Sequence, residues 1–419
     1  MRKMMDSGVE WLGAIPQDWD LVQIKSIASC KSEKSSYIGG AYIGLEHIES
    51  GSGKLLADGS QTGIEVDSTV SSFSDTDILF GKLRPYLAKA AKPNFDGQCS
   101  TEILVLNPSS RIQKDFLFWY LLDPAFIDAV NASTYGAKMP RANWNFIGSC
   151  YLPLPPMNMQ TVISSVLNEK FAQVDTLIAN VQAQIEKLKA YKQSVITEVV
   201  TKGLDPTVPM KDSGVEWIGE IPAHWGVTRI KNMFELRNER NDEADLTKVN
   251  LISLYTDLGV VQHSDLTATT GNRAVTAEGY KIVRKNDIVV NIILCWMGAV
   301  GMSQYDGVTS PAYDIYRPLK DTNSEYYHYL FRTNRFNGEC YRYGRGIMMM
   351  RWRTYSTEFR AINIPCPPAE EQKKIVAHLN EKCNKIDQLI AIKQAKIEKL
   401  EQYKRSLIYE YVTGKREVV

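Results

Sequence analysis

The stretch QTVISSVLNEKFAQVDTLIANVQAQIEKLKAYKQSVITEVVT, residues 160–201, returns as QKKIVAHLNEKCNKIDQLIAIKQAKIEKLEQYKRSLIYEYVT, residues 372–413. Aligned without a gap, roughly half of the positions are identical, among them LNEK, LIA, IEKL and the YK pair. Val174, Val181, Leu188 and Val195 fall seven apart in the first copy, and Leu177, Ile178, Ile185, Tyr191 and Val199 widen that stripe. In the second copy Ile386, Leu389, Ile390, Ile397, Leu400, Tyr403, Leu407 and Tyr411 repeat the pattern, with Lys393 as a polar interruption. This is the periodicity of an amphipathic helix. Neither copy holds a proline or an internal glycine, and Gly203 and Gly414 stand where a C-terminal stop belongs. Forty-odd residues make a rod of about 60 Å, too long to bury its stripe on a small domain. The natural partner of each copy is the other.

The duplication extends beyond the helices. DSGVEWLGAIPQDW at 6–19 reappears as DSGVEWIGEIPAHW at 212–225, and LPLPP at 152–156 matches IPCPP at 364–368, just before each helix. Between them, residues 77–80 (DILF) resemble 287–290 (DIVV), and 116–122 resemble 326–332. The chain is a tandem repeat of a variable body, a Pro-rich stop and a long helix. The bodies diverge most at 31–74 and 237–280, so one architecture presents two different surfaces. Residues 41–45, 77–80 and 102–106 read as short strands, and 114–122 and 324–334 as helices. Each body is expected to be an α/β (α+β) unit. The repeat is also circular: residues 212–225 follow the first helix, whereas the equivalent 6–19 open the chain. The two termini are therefore expected beside the end of the second helix.

A chain of 419 residues with 44% hydrophobic and 23% charged residues is that of a soluble globular protein of two or three domains. The opening MRKMMDSGVEW lacks the apolar core of a signal peptide. The longest apolar run, 288–302, is interrupted by Asn291, Gly298 and Gly301 and reads as buried strand rather than membrane span. Seven cysteines, scattered and never in CxxC, exclude a zinc ribbon and point to a reducing, cytoplasmic location. A net charge of +1 means that any nucleic-acid contact must come from local concentration of positive charge.

Catalytic constellations are missing. SGSGK at 50–54 is no phosphate loop, because Ile48 takes the place of its first glycine and Leu55 follows the lysine. The five histidines (His47, His224, His263, His328 and His378) are isolated from any metal-ligand spacing, and no dinucleotide or amino-methyltransferase motif occurs. Two basic stretches remain. Residues 81–89, GKLRPYLAK, followed by Lys92, place Lys82, Arg84, Lys89 and Lys92 around Tyr86 without an acid, just after a strand. Such side chains can contact phosphates or fork onto guanine. The alternative is a solvated loop; the aromatic among uncompensated cations favours DNA. The second stretch, 135–144, carries Lys138, Arg141 and Asn143, and its counterpart 341–353 carries Arg342, Arg345, Arg351 and Arg353 with Tyr341, Tyr343 and Trp352. Met348, Met349 and Met350 are read as core; Arg332 and Arg335 lie just upstream, and Arg237, Arg240 and Lys281 are weaker candidates. Lysines on the outer helix faces, among them Lys192 and Lys404, would suit partner subunits.

Taken together, the repeated SGVEW opening, GKLRPYLAK, the LPLPP and IPCPPAEEQ approaches and the LNEK…ID…LI…IEKL…YK…VT helix resemble the specificity (S) subunit of type I restriction–modification enzymes, over essentially the whole chain. The resemblance implies two globular target recognition domains joined by two long antiparallel helices, a coiled coil with a pseudo-two-fold internal repeat. It divides the chain into an N-terminal repeat segment (1–19), a first recognition domain (20–157), a central helix (158–203), a linker (204–225), a second recognition domain (226–367) and a C-terminal helix (368–419). It further implies that each domain reads half of a split double-stranded DNA target, with half-site centres about one helical turn apart. Two modification (methyltransferase) subunits would dock, bringing S-adenosylmethionine, and two restriction (motor-nuclease) subunits with ATP and Mg could join. The chain itself would hold no cofactor or metal and perform no chemistry. Two departures stand out. Residues 157–160 read MNMQ where 369–372 read AEEQ, and GKLRPYLAK has no basic counterpart at 291–296, NIILCW. A rival reading, a coiled-coil adaptor holding two protein-binding domains, leaves the basic aromatic stretches unexplained.

Overall fold

Both repeated stretches fold as unbroken helices, Met157–Lys202 and Ala369–Val412. Each stops at a glycine in the left-handed region, Gly203 (φ 77) and Gly414 (φ 72). Space demands the same residue, since a Cβ on Gly203 would press on the Trp225 indole and one on Gly414 would run into the Pro16 ring. The computed structural model describes residues 2–31, 34–36, 40–56, 69–136, 138–263, 276–319, 321–346 and 352–418. The chain divides into unit 1, residues 1–182 with 394–419, and unit 2, residues 183–393. Each helix thus gives the larger part of its length to the unit it starts in and the rest to the other.

Unit 1 is built on an antiparallel sheet in the order Ala28–Lys31, Ile103–Pro108, Ile78–Gly81, Ala90–Ala91. The helices Lys114–Leu121 and Pro124–Ala132 pack on it through Phe116, Leu117, Tyr120 and Phe126. A second sheet, in the order Lys34–Ser36, Thr69–Phe73, Gly97–Ser100, Tyr42–Ile43, closes a smaller core around Ile43, Ile48, Leu79 and Val105. Unit 2 repeats the main sheet as Phe234–Arg237, Tyr313–Pro318, Ile288–Asn291, Val300–Met302. The apolar run 288–302 is therefore not one strand but two, turned back on each other at Gly298 (φ 89), with the Asn291 side chain accepting from the Ile293 N–H at 3.0 Å. The helix expected over 324–334 is also two, Ser324–Phe331 and Asn334–Tyr343, because Thr333 caps the second by accepting from the Phe336 N–H.

The helices pair with each other inside each unit. In unit 1, Ile163, Leu167 and Phe171 share a core with Leu407, Ile408, Tyr411 and Val412, and the Lys404 ammonium meets Asp175 at 2.7 Å and lies over the Phe171 ring. In unit 2, Ile196, Val199 and Val200 pack with Ile375, Val376 and Leu379, and Lys192 meets Asp387 at 2.6 Å. Low numbers of one helix face high numbers of the other, so the pairing is antiparallel. Lys192 and Lys404 therefore face the partner helix, not an outer surface. Lys393, the interruption in the stripe, donates to Gln184. The seam is narrower than the sequence pattern, for Leu177, Tyr191, Leu389 and Tyr403 are each more than two-fifths exposed.

Buried glutamines tie each helix start to its body. The Gln160 carbonyl oxygen accepts from the Gln113 N–H at 2.8 Å, and its amide donates to the Pro155 carbonyl at 2.8 Å. Gln372 repeats this with the Asn323 N–H at 3.0 Å and the Pro367 carbonyl at 2.9 Å. At the other helix end, Leu12 and Trp19 join the core formed by Leu407 and Tyr411, as Ile218 and Trp225 join Ile196 and Val200 in unit 2. The two ends of the chain meet there. The Arg2 N–H donates to Glu417 at 2.9 Å, and the Lys415 ammonium donates to the Leu12 carbonyl.

The MNMQ departure has a visible consequence. In unit 2 the Trp225 indole N–H donates to Glu371 at 2.7 Å, and His224 sits 2.6 Å from the other carboxylate oxygen. In unit 1 the equivalent Trp19 N–H is buried without an acceptor among the described residues, because Met159 stands in place of Glu371. Glu371→Met should leave the fully buried Trp225 N–H in the same state. The expected loss is about 1–3 kcal/mol of unfolding free energy, read from urea denaturation. A loss below about 0.5 kcal/mol would show that the N–H finds another partner.

Candidate nucleic-acid interface

Strand Ile78–Gly81 delivers GKLRPYLAK as a clamped turn. The Gly81 N–H donates to the Lys89 carbonyl at 2.8 Å, closing the loop at its base. Within it, residues Pro85–Leu87 form a 3-10 turn bounded by Arg84 (φ 51) and Ala88 (φ 46), both left-handed. Two such non-glycine residues in one turn cost on the order of 1–2 kcal/mol each, a strain that the surrounding hydrogen bonds must hold in place. The second basic stretch supplies them. The Arg84 N–H donates to the Pro140 carbonyl at 2.8 Å, and the Ala142 N–H donates to the Lys82 carbonyl at 2.9 Å. Two segments far apart in sequence thus become one surface.

The predicted cations on that surface are not equivalent. Arg84 and Lys138 are exposed and Lys82 half-exposed, and none has an acid partner among the described residues. Tyr86 projects beside them, 53% exposed. Arg141 instead forks onto Glu102, with Nε and Nη2 each 3.0 Å from a carboxylate oxygen. That bidentate bond holds its guanidinium above the usual arginine range, first through the hydrogen bond and then through the charge. Lys89 donates to the Leu45 carbonyl at 2.6 Å, and Lys92 meets Asp115 at 2.9 Å over the Phe118 ring. Asn143 caps helix Trp144–Ser149 by accepting from the Phe146 N–H at 3.0 Å. Each of these four has a role inside the unit. Asp96 and Glu102 could open a nuclease-type acidic set by sequence, but no ExK follows them; Glu102 instead holds Arg141, 39 residues away, and nothing near it in the chain marks that partnership.

Unit 2 builds the same frame with other side chains. The Asn291 N–H donates to the Ala299 carbonyl at 3.0 Å, and the Thr354 N–H to the Ile292 carbonyl at 2.9 Å. Arg345 and Arg353 pair through reciprocal backbone bonds of 2.9 Å, as Tyr135 and Arg141 do in unit 1 at 3.1 and 3.3 Å. Trp296, Tyr341 and Trp352 form a ladder, with the last two rings stacked 4.9 Å apart. Arg342 lies 3.7 Å from both Glu216 and Glu339, Arg345 bonds Glu358 at 3.0 Å, and Arg353 is exposed. Arg351 and Met348, Met349 and Met350 lie outside the described residues.

The lesser candidates serve the fold. Arg332 is half-buried and donates to the carbonyls of Thr256, Asp257 and Val300. Its neighbour His328 accepts from the Met302 N–H at 3.1 Å and is pushed down to about 3 by burial, hence neutral. Lys281 forms a buried pair with Asp314 at 3.0 Å, Arg240 donates to the Gly279 carbonyl, Arg335 reaches the Ile218 carbonyl and Arg237 meets Glu235. Among the described residues no group of histidines, cysteines or acids could hold a metal, and no helix is long and apolar enough to cross a membrane.

Comparison with known proteins follows the same two-fold division. The type I restriction modification DNA specificity domain matches residues 16–187 and again 222–402. The chain belongs to this family. Among its relatives, the EcoDI specificity subunit of Escherichia coli is 28% identical over 243 residues, 57% of this chain and 49% of that one. The match spans about half of that relative. A putative type I restriction enzyme specificity subunit, MjaX, of Methanocaldococcus jannaschii is 25% identical over 428 residues, 96% of this chain and 95% of the other. Among solved structures, a chain from the assembly of a type I R-M system has a TM-score of 0.66 at 18% identity, covering 96% of this chain and 99% of that one. The HsdS subunit of Thermoanaerobacter tengcongensis has a TM-score of 0.52 at 18% identity, covering 98% and 100%. At such identity the structures speak for the α+β fold with long helices.

Proposed function

We propose that this member of the specificity family is the DNA-reading, non-catalytic subunit of a type I modification complex. Each unit reads one half of a split double-stranded target. The observation that carries the reading is the recurrence, in both units, of one clamped turn joined to a second basic loop, on a frame whose exposed side chains differ. A repeated scaffold with a changed surface is what reading two different half-sites requires. Arg84, Lys82, Lys138 and Tyr86 in unit 1, with Arg353 in unit 2, are the proposed direct contacts; Arg342 and Arg345, paired with Glu216, Glu339 and Glu358, flank the second set as Arg141 flanks the first. Lys89, Lys92, Arg141 and Asn143 support the surface, and Arg351 would join the second set. The methyl donor and its chemistry belong to two modification subunits docked on this chain, and ATP and Mg to motor-nuclease subunits where these are present.

Mapping methylated adenines in cells with and without this protein tests the proposal. A split motif should be modified only when the chain is present. Identical adenine methylation in both would instead favour the adaptor reading.

A further inference from the structure

The two clamped turns can be superposed residue by residue from their hydrogen bonds. Gly81 pairs with Ile103 as Asn291 pairs with Tyr313. Each turn closes from its first residue to its ninth, Gly81 to Lys89 and Asn291 to Ala299, and each contains a 3-10 turn, Pro85–Leu87 or Cys295–Met297. Each then ends on a left-handed residue, Ala88 or Gly298. Arg84 therefore corresponds to Leu294, and Leu87 to Met297. Between 292 and 299 unit 2 has no charged side chain at all, reading IILCWMGA against KLRPYLAK. Cys295 turns inward onto Cys340 and Trp296 leans on Tyr341. Leu294 and Met297 are left 37% and 50% exposed on the outer side.

Large apolar side chains at the tip of a clamped loop, closed from Asn291 to Ala299, are held toward something. Of the base-edge groups in the major groove only one is apolar, the thymine C5-methyl. A side chain without nitrogen or oxygen gains nothing from the other edges and would desolvate them without return. Positive charge for the phosphates is present beside the turn on the exposed Arg353, which has no acid partner among the described residues, so the turn is free to be apolar.

We propose that Leu294 and Met297 of unit 2 read thymine methyl groups, in the place where unit 1 presents Arg84 for hydrogen-bonded readout. The inference rests on the DNA-reading function proposed above, and makes the two half-sites chemically distinct at equivalent positions. Unit 1 requires an acceptor edge, unit 2 a methyl.

The test uses the full chain assembled with its modification subunits and duplexes carrying the mapped target. Thymines are replaced one at a time by deoxyuridine, which lacks only the methyl. The half-site whose base preference changes in Arg84→Ala is assigned to unit 1. At one or more thymines of the other half-site, uracil should weaken binding by about three- to tenfold, the scale of one buried methyl. Leu294→Ala or Met297→Ala should bind the thymine and uracil duplexes alike. Uniform affinity across all uracil positions of that half-site would overturn the inference, as would retained discrimination in both alanine variants. If the variants bind DNA normally but lose the modification subunits, the patch is a protein-docking face and the inference fails. Binding no tighter to the target than to a scrambled duplex would instead overturn the DNA-reading function itself.

Discussion

Replacing Arg84 with alanine is expected to weaken binding to the target duplex by about 1–3 kcal/mol, with the loss concentrated on one base pair of one half-site. Its basic neighbours on the same surface are already engaged. Lys89, Lys92 and Arg141 are held by Leu45, Asp115 and Glu102, so drawing them to DNA would break an existing bond. Arg84 is exposed, and its backbone is fixed at both ends by the Pro140 carbonyl and the turn that follows. Its guanidinium is the group on that turn able to fork onto guanine O6 and N7 at no internal cost. Alanine keeps the left-handed residue non-glycine, so the turn's strain is unchanged; Arg84→Gly relieves it and serves as a folding control. Lys82→Ala provides the contrast. If Lys82 pairs with a phosphate, its removal should weaken all sequences alike and lower the salt slope of the logarithmic affinity by about 1. Fluorescence anisotropy of the full assembly, on the target and on duplexes changed one pair at a time, separates the two. If Arg84→Ala binds every duplex equally more weakly, Arg84 touches phosphate and the base is read elsewhere.

How much of this surface was legible in the sequence depended on the distance over which its causes act. The long helices declare themselves through local period and the absence of proline and glycine. Their partner follows from length alone. The stripe overstated the seam because one of its flanks is left out: Leu177 and Tyr191, like Leu389 and Tyr403, hold one heptad position fourteen residues apart and are exposed, while Val174, Val181 and Ile185 are buried. The two stretches of the candidate interface were each visible as uncompensated charge, but the compensation of Arg141 lies 39 residues away at Glu102, and that of Lys89 is a carbonyl 44 residues away. No window on the sequence sees either. Gln160 and Gln372 could have been found: they keep their identity at equivalent positions while the two residues before each differ, the mark of a residue held by buried bonds. The correspondence of Arg84 with Leu294 follows from the match of DILF with DIVV just before each turn, and the hydrogen-bond register carries it through the turn, where the sequences share almost nothing.

Lengthening both long helices by seven residues, after Gln182 and after Lys393, is expected to abolish methylation of the natural target and move it to a longer spacer. Both insertions fall where the chain passes between units, so every helix–helix pairing inside a unit is kept. Lys404 still meets Asp175, and Lys192 still meets Asp387. Seven residues complete about two turns, which preserves the phase of the apolar seam, and add about 10 Å of helix. At 3.4 Å per base pair that corresponds to about three extra pairs between the half-sites. Three pairs also turn the duplex by roughly 100°, since about ten make a full turn, so the lengthened protein must twist its DNA or bind less tightly. Lengthening only the first helix by a single turn should also change the spacer, but it sets the ion pairs of the two units against each other, and its loss of stability would be confounded with its effect on spacing. The paired insertion avoids that. Methylated-adenine mapping gives the answer directly: an unchanged spacer would mean that the helices do not measure the target, and that each unit finds its half-site independently of the rod that joins them.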